Sequence, residues 1–244
     1  MVHDVKSEIR KFSNLDELSA SAAKEINDLI NEVVSRKGRF TIALSGGNTP
    51  RLLHHYLATT YRDSIPWNSV QIFFGDERYV SHDDKQSNYL MVKETLLDLI
   101  SIPLTNIHSI PTSFINPNEA AQDYEKRLRK IFSDTGNTFD LVLLGMGKEG
   151  HTASLFPNSP VLDEKERWVI AVEAPAIPKN RITLTFPILN RASEIYFLVS
   201  GAEKAEALGA AVNRISDFHA CPAAGVHPSN GNVVWWVDST AYED

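Results

Sequence analysis

Cysteine is nearly absent. The 244-residue chain carries one, Cys221, so it has neither an intrachain disulfide nor a cysteine-rich metal site. Cys221 itself reads as a small, partly buried side chain. Long apolar runs are missing too: no stretch approaches the ~18–20 residues of a membrane span. Basic charge is in deficit. With 24 Lys and Arg against 31 Asp and Glu, the net charge is −7, which argues against nucleic acid and anionic membranes as partners. An anionic ligand must then meet a local cluster of positive groups working against the global field. Low-complexity tracts and internal repeats are absent, and with only 12 Gly and 12 Pro the composition excludes collagen-like, coiled-coil, mucin-like and disordered readings. The first residues, Met-Val-His-Asp-Val-Lys, hold an acid at position 4 and no apolar run. They do not read as a signal or transit peptide, and the cytoplasm is the expected location.

What is present is ordinary globular composition, 43% hydrophobic and 23% charged. A chain this long buries roughly 70–75% of its unfolded surface on folding. Elements alternate along it. Residues 13–35 carry apolar side chains at steps of three and four (Leu15, Leu18, Ala22, Ile26, Leu29, Val33), which predicts a helix, with Ser13 and Asp16 as a capping pair. Residues 39–44 predict a buried strand. After the turn Ser45-Gly46-Gly47-Asn48, Thr49 and Pro50 read as N-cap and first helical residue of a helix reaching Ala58. Further strands are expected at 70–74, 139–144, 168–172, 182–185, 195–200 and 233–237, and helices at 86–100, 117–132 and 203–213. Residues 133–138 and 214–232 are the expected loose segments. Strand–turn–helix in this rhythm means an α/β fold with a mainly parallel sheet. No stretch reads as an interdomain linker, so one domain is expected over 1–244.

In open α/β sheets ligands bind beyond the carboxyl ends of the strands, and three such ends carry unusual chemistry. Gly46 and Gly47 allow close backbone approach, and the helix start behind them offers free N–H groups. That suits a phosphate. Gly75-Asp76-Glu77-Arg78 places two acids and an arginine directly after a strand, as an arginine clamp with orienting carboxylates would. Gly145-Met146-Gly147-Lys148-Glu149-Gly150-His151 contains G-x-G-x-x-G with an acid, Glu173, downstream. A dinucleotide site needs a crossover helix behind the third glycine, and Pro157 and Pro160 leave room for barely two turns. The glycines instead present His151, a general-base candidate because its pKa range lies near working pH. His54 and His55 read as packing or surface residues. Neither a zinc-protease H-E-x-x-H nor a G-x-S-x-G elbow occurs, and nothing marks Ser154 as a nucleophile.

Ser45–Pro50, Gly75–Arg78 and Gly150-His151-Thr152-Ala153-Ser154-Leu155-Phe156-Pro157 resemble three signature blocks of the 6-phosphogluconolactonase family. Arg181–Thr185, Gly201–Ala205, and Pro222-Ala223 with Trp235 and Asp238 resemble further family patterns. The glucosamine-6-phosphate deaminases share part of this pattern. They carry a ring-opening glutamate where Phe156 stands, and an aromatic residue in place of Arg78. The lactonase family usually has Asp where this chain has Glu149.

The resemblance implies a Rossmann-like three-layer sandwich acting on 6-phospho-D-glucono-1,5-lactone in the oxidative pentose phosphate pathway. It implies no cofactor and no metal, and a phosphorylated sugar lactone as partner. A monomer or weak homo-oligomer is expected. His151 would activate water, with Asp76 or Glu149 orienting the imidazole or its water. Gly46, Gly47, Asn48, Thr49, Arg51, Arg78, Arg181 and Lys204 would hold the phosphate. A deaminase or isomerase, a sugar-phosphate sensor and a hydride-transfer enzyme are the competing classes.

Overall fold

The computed structural model describes residues 7–133, 136–213 and 217–242. Its frame is a seven-stranded sheet in the order β1-β10-β9-β6-β2-β3-β5, every pair parallel. The strands are β1 (Ser7–Phe12), β2 (Phe40–Leu44), β3 (Val70–Phe74), β5 (Ile107–His108), β6 (Leu141–Gly145), β9 (Glu194–Val199) and β10 (Asn232–Asp238). The inner strands read as continuous apolar runs because helices cover both faces. Adjacent side chains on β3 show the two faces. Phe73 packs against Phe132, just past α4 (Pro117–Ile131), while Phe74 turns to Tyr89 on α3 (Asn88–Thr95).

The remaining helices are α1 (Leu15–Lys37), α2 (Thr49–Thr59), α5 (Phe186–Leu189) and α6 (Ala205–Val212). α1 packs on α2 and on β1, β2 and β10, burying Leu18, Ala22, Ile26, Ile30 and Val33. Its cap differs from the expected Ser13–Asp16 pair. Asn14 accepts from Glu17 N at 2.9 Å, and Glu17 Oε2 reaches back to accept from Ser13 N at 2.9 Å. The cap is therefore built one residue later, with Asn14 as the cap residue and Glu17 reaching back past it to the Ser13 amide. In α2 the cap position belongs to Asn48, with Thr49 already helical. The helix expected over 86–100 stops at Thr95 and tightens into a 3₁₀ turn at Leu97–Leu99, leaving Leu99 exposed.

Two features escaped sequence reading. β1 was not expected, because Ser-Glu-Ile-Arg-Lys-Phe lacks a continuous apolar run. It is an edge strand whose Phe12 stacks on Trp236 at 5.4 Å. A second, antiparallel sheet β4-β8-β7 also forms from β4 (Asp76–Arg78), β8 (Asn180–Leu184) and β7 (Val169–Glu173). Two of its strands lie where parallel strands were expected, and the third is the Asp-Glu-Arg motif itself. Of the segments expected to be loose, residues 134–135 and 214–216 lie outside the described residues. The turn Pro222–Gly225 is not loose. Ala223 N donates to Gly150 O at 2.9 Å, strapping it under the histidine loop.

Candidate active site

The chain leaves β2 toward β3 on one side and leaves β6 toward β9 on the other, so the strand order reverses between β2 and β6. A crevice opens beyond the carboxyl ends at such a point. Here it is a cleft of about 190 Å³ walled by Ser45–Pro50 after β2, Asp76 and Arg78 on β4, Asn88, residues Gly145–Gly147, His151 and Ala153 after β6, and Lys204 after β9.

His151 sits over Gly147. A Cβ added to Gly147 would lie 2.1 Å from His151 Nδ1, so only glycine lets the ring lie there. Glu149 Oε1 stands 2.9 Å from Nδ1, and the Phe156 ring packs against the imidazole with centroids 4.9 Å apart. Burial pushes the Glu149 carboxyl up. The opposing pull of its own amide N–H, of His151 and of Lys148 is larger, and the net shift is downward. Glu149 is thus an anion and acceptor only, which calls for a proton on Nδ1 and, in the neutral ring, leaves Nε2 as the acceptor. The extra methylene relative to Asp still allows the contact. Asp76 does not reach the imidazole. Its carboxylate accepts from Ser154 Oγ at 2.6 Å and from Asn88 Nδ2 at 3.2 Å.

The opposite wall is cationic. Arg78 lines the cleft and donates through Nη1 to Gln86 O at 2.6 Å. Glu77 fixes it from behind. That carboxylate, 1% exposed, accepts from Arg78 N, Asn88 N, Tyr89 N and Ser87 Oγ. Burial raises the Glu77 pKa, and the three backbone donors only partly offset the rise. Arg181 pairs with Arg78 in the antiparallel register but does not line the cleft, and its Nε donates to Pro178 O at 2.8 Å. Burial, then the Arg78 charge, pull its pKa down against Asp76 and Glu77. Neither arginine makes an ion pair among the described residues. Lys204 lines the cleft half-buried, and burial lowers its pKa against the pull of Glu203 and Asp238. Arg51, expected at the anion site, is exposed on the first turn of α2 and does not line the cleft.

Gly46, Gly47, Asn48 and Thr49 form the remaining wall. A Cβ on Gly46 would lie 1.9 Å from Asn88 Oδ1. Sequence reading missed Asn88, Ser45 and Ala153, all lining the cleft. Asn88 follows its helix cap Ser87 without any motif, and its place in the cleft comes from contact with Asp76. Ser45 Oγ, Asn88 Oδ1 and Arg78 Nε are buried without a hydrogen-bond partner among the described residues. Such orphans are rare in folded proteins, and here these three fall in one cleft, where a ligand could satisfy them.

Comparison with known proteins identifies the lineage. Residues 13–235 match the model of the family described as glucosamine-6-phosphate isomerases/6-phosphogluconolactonase. The chain belongs to this family. A 6-phosphogluconolactonase of Synechocystis sp. is 42% identical over 218 residues, covering 88% of each chain. One from Mycobacterium bovis is 38% identical over 97% of this chain and 98% of its own. Among solved structures, the 6-phosphogluconolactonase of Trypanosoma brucei aligns with TM-score 0.84 at 29% identity, covering 98% of both chains. The Thermotoga maritima enzyme aligns with TM-score 0.82 at 31% identity, covering 96% of this chain and all of that one.

Proposed function

We propose that this chain is a 6-phosphogluconolactonase. It hydrolyses 6-phospho-D-glucono-1,5-lactone to 6-phospho-D-gluconate in the oxidative pentose phosphate pathway. The observation that carries the reading is one cleft lined both by an imidazole buttressed by Glu149 and by the cations Arg78 and Lys204, neither of them in an ion pair among the described residues. His151 Nε2 takes a proton from water as the water oxygen bonds to the lactone carbonyl carbon. The tetrahedral oxyanion collapses, the ring C–O bond breaks, and His151 returns the proton to the leaving oxygen. Arg78 and Lys204, with the Gly46–Thr49 turn, hold the phosphate, and Arg181 adds positive field. The charges of Arg78 and Arg181 repel, an effect that Asp76 and Glu77 partly offset and that a bound dianion relieves further. Remote binding of this kind places the carbonyl beside the base. Asp76, acceptor-rich and in the cleft, receives sugar hydroxyls.

One continuous core supports action as a single domain. No helix among the described residues is long and apolar enough to cross a membrane, and a cytoplasmic monomer or weak homo-oligomer fits the composition. The test is pH-stat acid release from freshly prepared lactone, without added nucleotide or metal, after subtracting spontaneous hydrolysis. Catalysed acid release is expected. Ammonia release from glucosamine-6-phosphate in its place would assign the chain to the deaminase branch.

A further inference from the structure

Ala153 lies on the cleft wall two residues after His151, with φ 49°. That is the left-handed region, which a side chain with a Cβ avoids and glycine favours. Such a conformation persists only where the surroundings over-determine it, and these positions gather at active sites. Here the surroundings are specific. Leu155 N donates to Thr152 O at 2.9 Å, closing a turn over Ala153. Thr152 Oγ1 ties the turn to Gly145 O at 2.8 Å. Ser154 ties it twice more, through N to Thr183 Oγ1 at 3.2 Å and through Oγ to Asp76 Oδ2 at 2.6 Å. Two amides of the same loop are spent: Gly147 N on His151 O, and Gly150 N on Gly147 O. The Ala153 N–H has no acceptor among the described residues.

The geometry points to the Ala153 main-chain N–H as an oxyanion donor of the lactonase reaction, with Ser154 as the positioning residue that locks its turn. The inference rests on the functional reading above and names a group that reading does not contain. As the water oxygen bonds to the carbonyl carbon and its proton passes to His151, the carbonyl π pair moves onto oxygen. A fixed N–H on the cleft wall, two residues after the base, meets that charge without reorganising, and it contributes only when the charge is present. The strain at Ala153 therefore appears as preorganisation, and the Ser154–Asp76 bond accounts for a buried serine that the hydrolytic scheme otherwise leaves without a task.

The decisive variant replaces Ala153 by lactic acid through nonsense suppression, turning the amide N–H into an ester oxygen while keeping the methyl group. The expected result is a kcat loss of ~10²–10³ with KM held. Wild-type kcat, or a loss confined to KM, overturns the assignment. Should the ester protein fail to fold by circular dichroism, Ser154→Ala decides. It should lower kcat at constant KM, and Ser154→Thr, which keeps the hydroxyl, should restore it; an unchanged kcat in Ser154→Ala overturns the proposal. An inactive wild type would sink the lactonase reading itself. An active wild type with an equally active ester variant sinks only the oxyanion assignment.

Discussion

Single side chains in this site act through what they are pressed against. His151 has Gly147 beneath it, Glu149 at Nδ1 and Phe156 on its face. Its replacement by alanine should cost ~10²–10⁴ in kcat, the range for a lost general base. The thermal midpoint should barely move, since the ring is partly exposed. Full turnover in the pH-stat would remove it from the mechanism. Gly147→Ala should approach the same loss with His151 intact, because the new methyl must displace the imidazole. Steady-state kinetics on the two variants in parallel tests that equivalence. Arg78→Ala should raise KM for the phosphorylated lactone by about 10- to 100-fold, the scale of a lost charge-assisted hydrogen bond. KM for unphosphorylated gluconolactone should hardly change. Equal shifts on both substrates would place Arg78 away from the phosphate.

Elements hold the site through buried polar joints between neighbours. α2, which starts at the glycine turn, is joined to α3, which starts at Asn88, by His54. Its Nδ1 lies 3.2 Å from Thr95 Oγ1 in a fully buried setting. Burial, then the Arg51 charge, pull the His54 pKa from 6.5 down to about 4. Between those two values the unfolded chain binds a proton that the folded chain refuses. Stability is therefore complete above pH 6.5 and falls as pH drops toward 4, by about 1.4 kcal/mol per unit from this group. Urea denaturation at pH 7, 6 and 5 should show that slope, and His54→Leu should flatten it relative to the wild type. A parallel slope in the variant would assign acid sensitivity to other groups. The joint matters for function because α2 and α3 bring Gly46 and Asn88 together.

At the scale of the whole molecule, the parallel order β1-β10-β9-β6-β2-β3-β5 depends on an edge strand drawn from the far end of the chain. β1 covers β10, with Phe12 stacked on Trp236 and Arg10 over the same ring at 4.9 Å. Deleting Ser7–Phe12 with the residues before it should leave β10 as an unpaired apolar edge. The shortened protein should melt lower and aggregate, because an exposed hydrophobic edge pairs with other chains. A monomeric product with an unchanged melting temperature by scattering and calorimetry would show the strand to be dispensable. The site lies at the opposite end of the logic. It sits where the connections reverse, so deleting β1 should lower stability without changing kcat of the surviving folded fraction.

The α/β class, most inner strands, the glycine turns and His151 were all legible in one dimension. Apolar runs, helical spacing and strand–Gly–Gly or strand–Gly–x–Gly junctions are local patterns, and local patterns report local backbone preference. The choice of Glu149 over Asp76 as the partner of the imidazole was not legible, nor was the withdrawal of Arg51 and Arg181 from the cleft wall. The same holds for the antiparallel sheet that sets Arg78 opposite Arg181, the amphipathic edge strand β1, and Asn88 against Gly46. Each of these is a contact between stretches of chain far apart in sequence. Composition and periodicity by themselves determined which segments fold into which elements. Only the packed tertiary arrangement decided which charged and polar groups meet, because charge pairing and burial depend on distance in space, and sequence spacing carries no record of it.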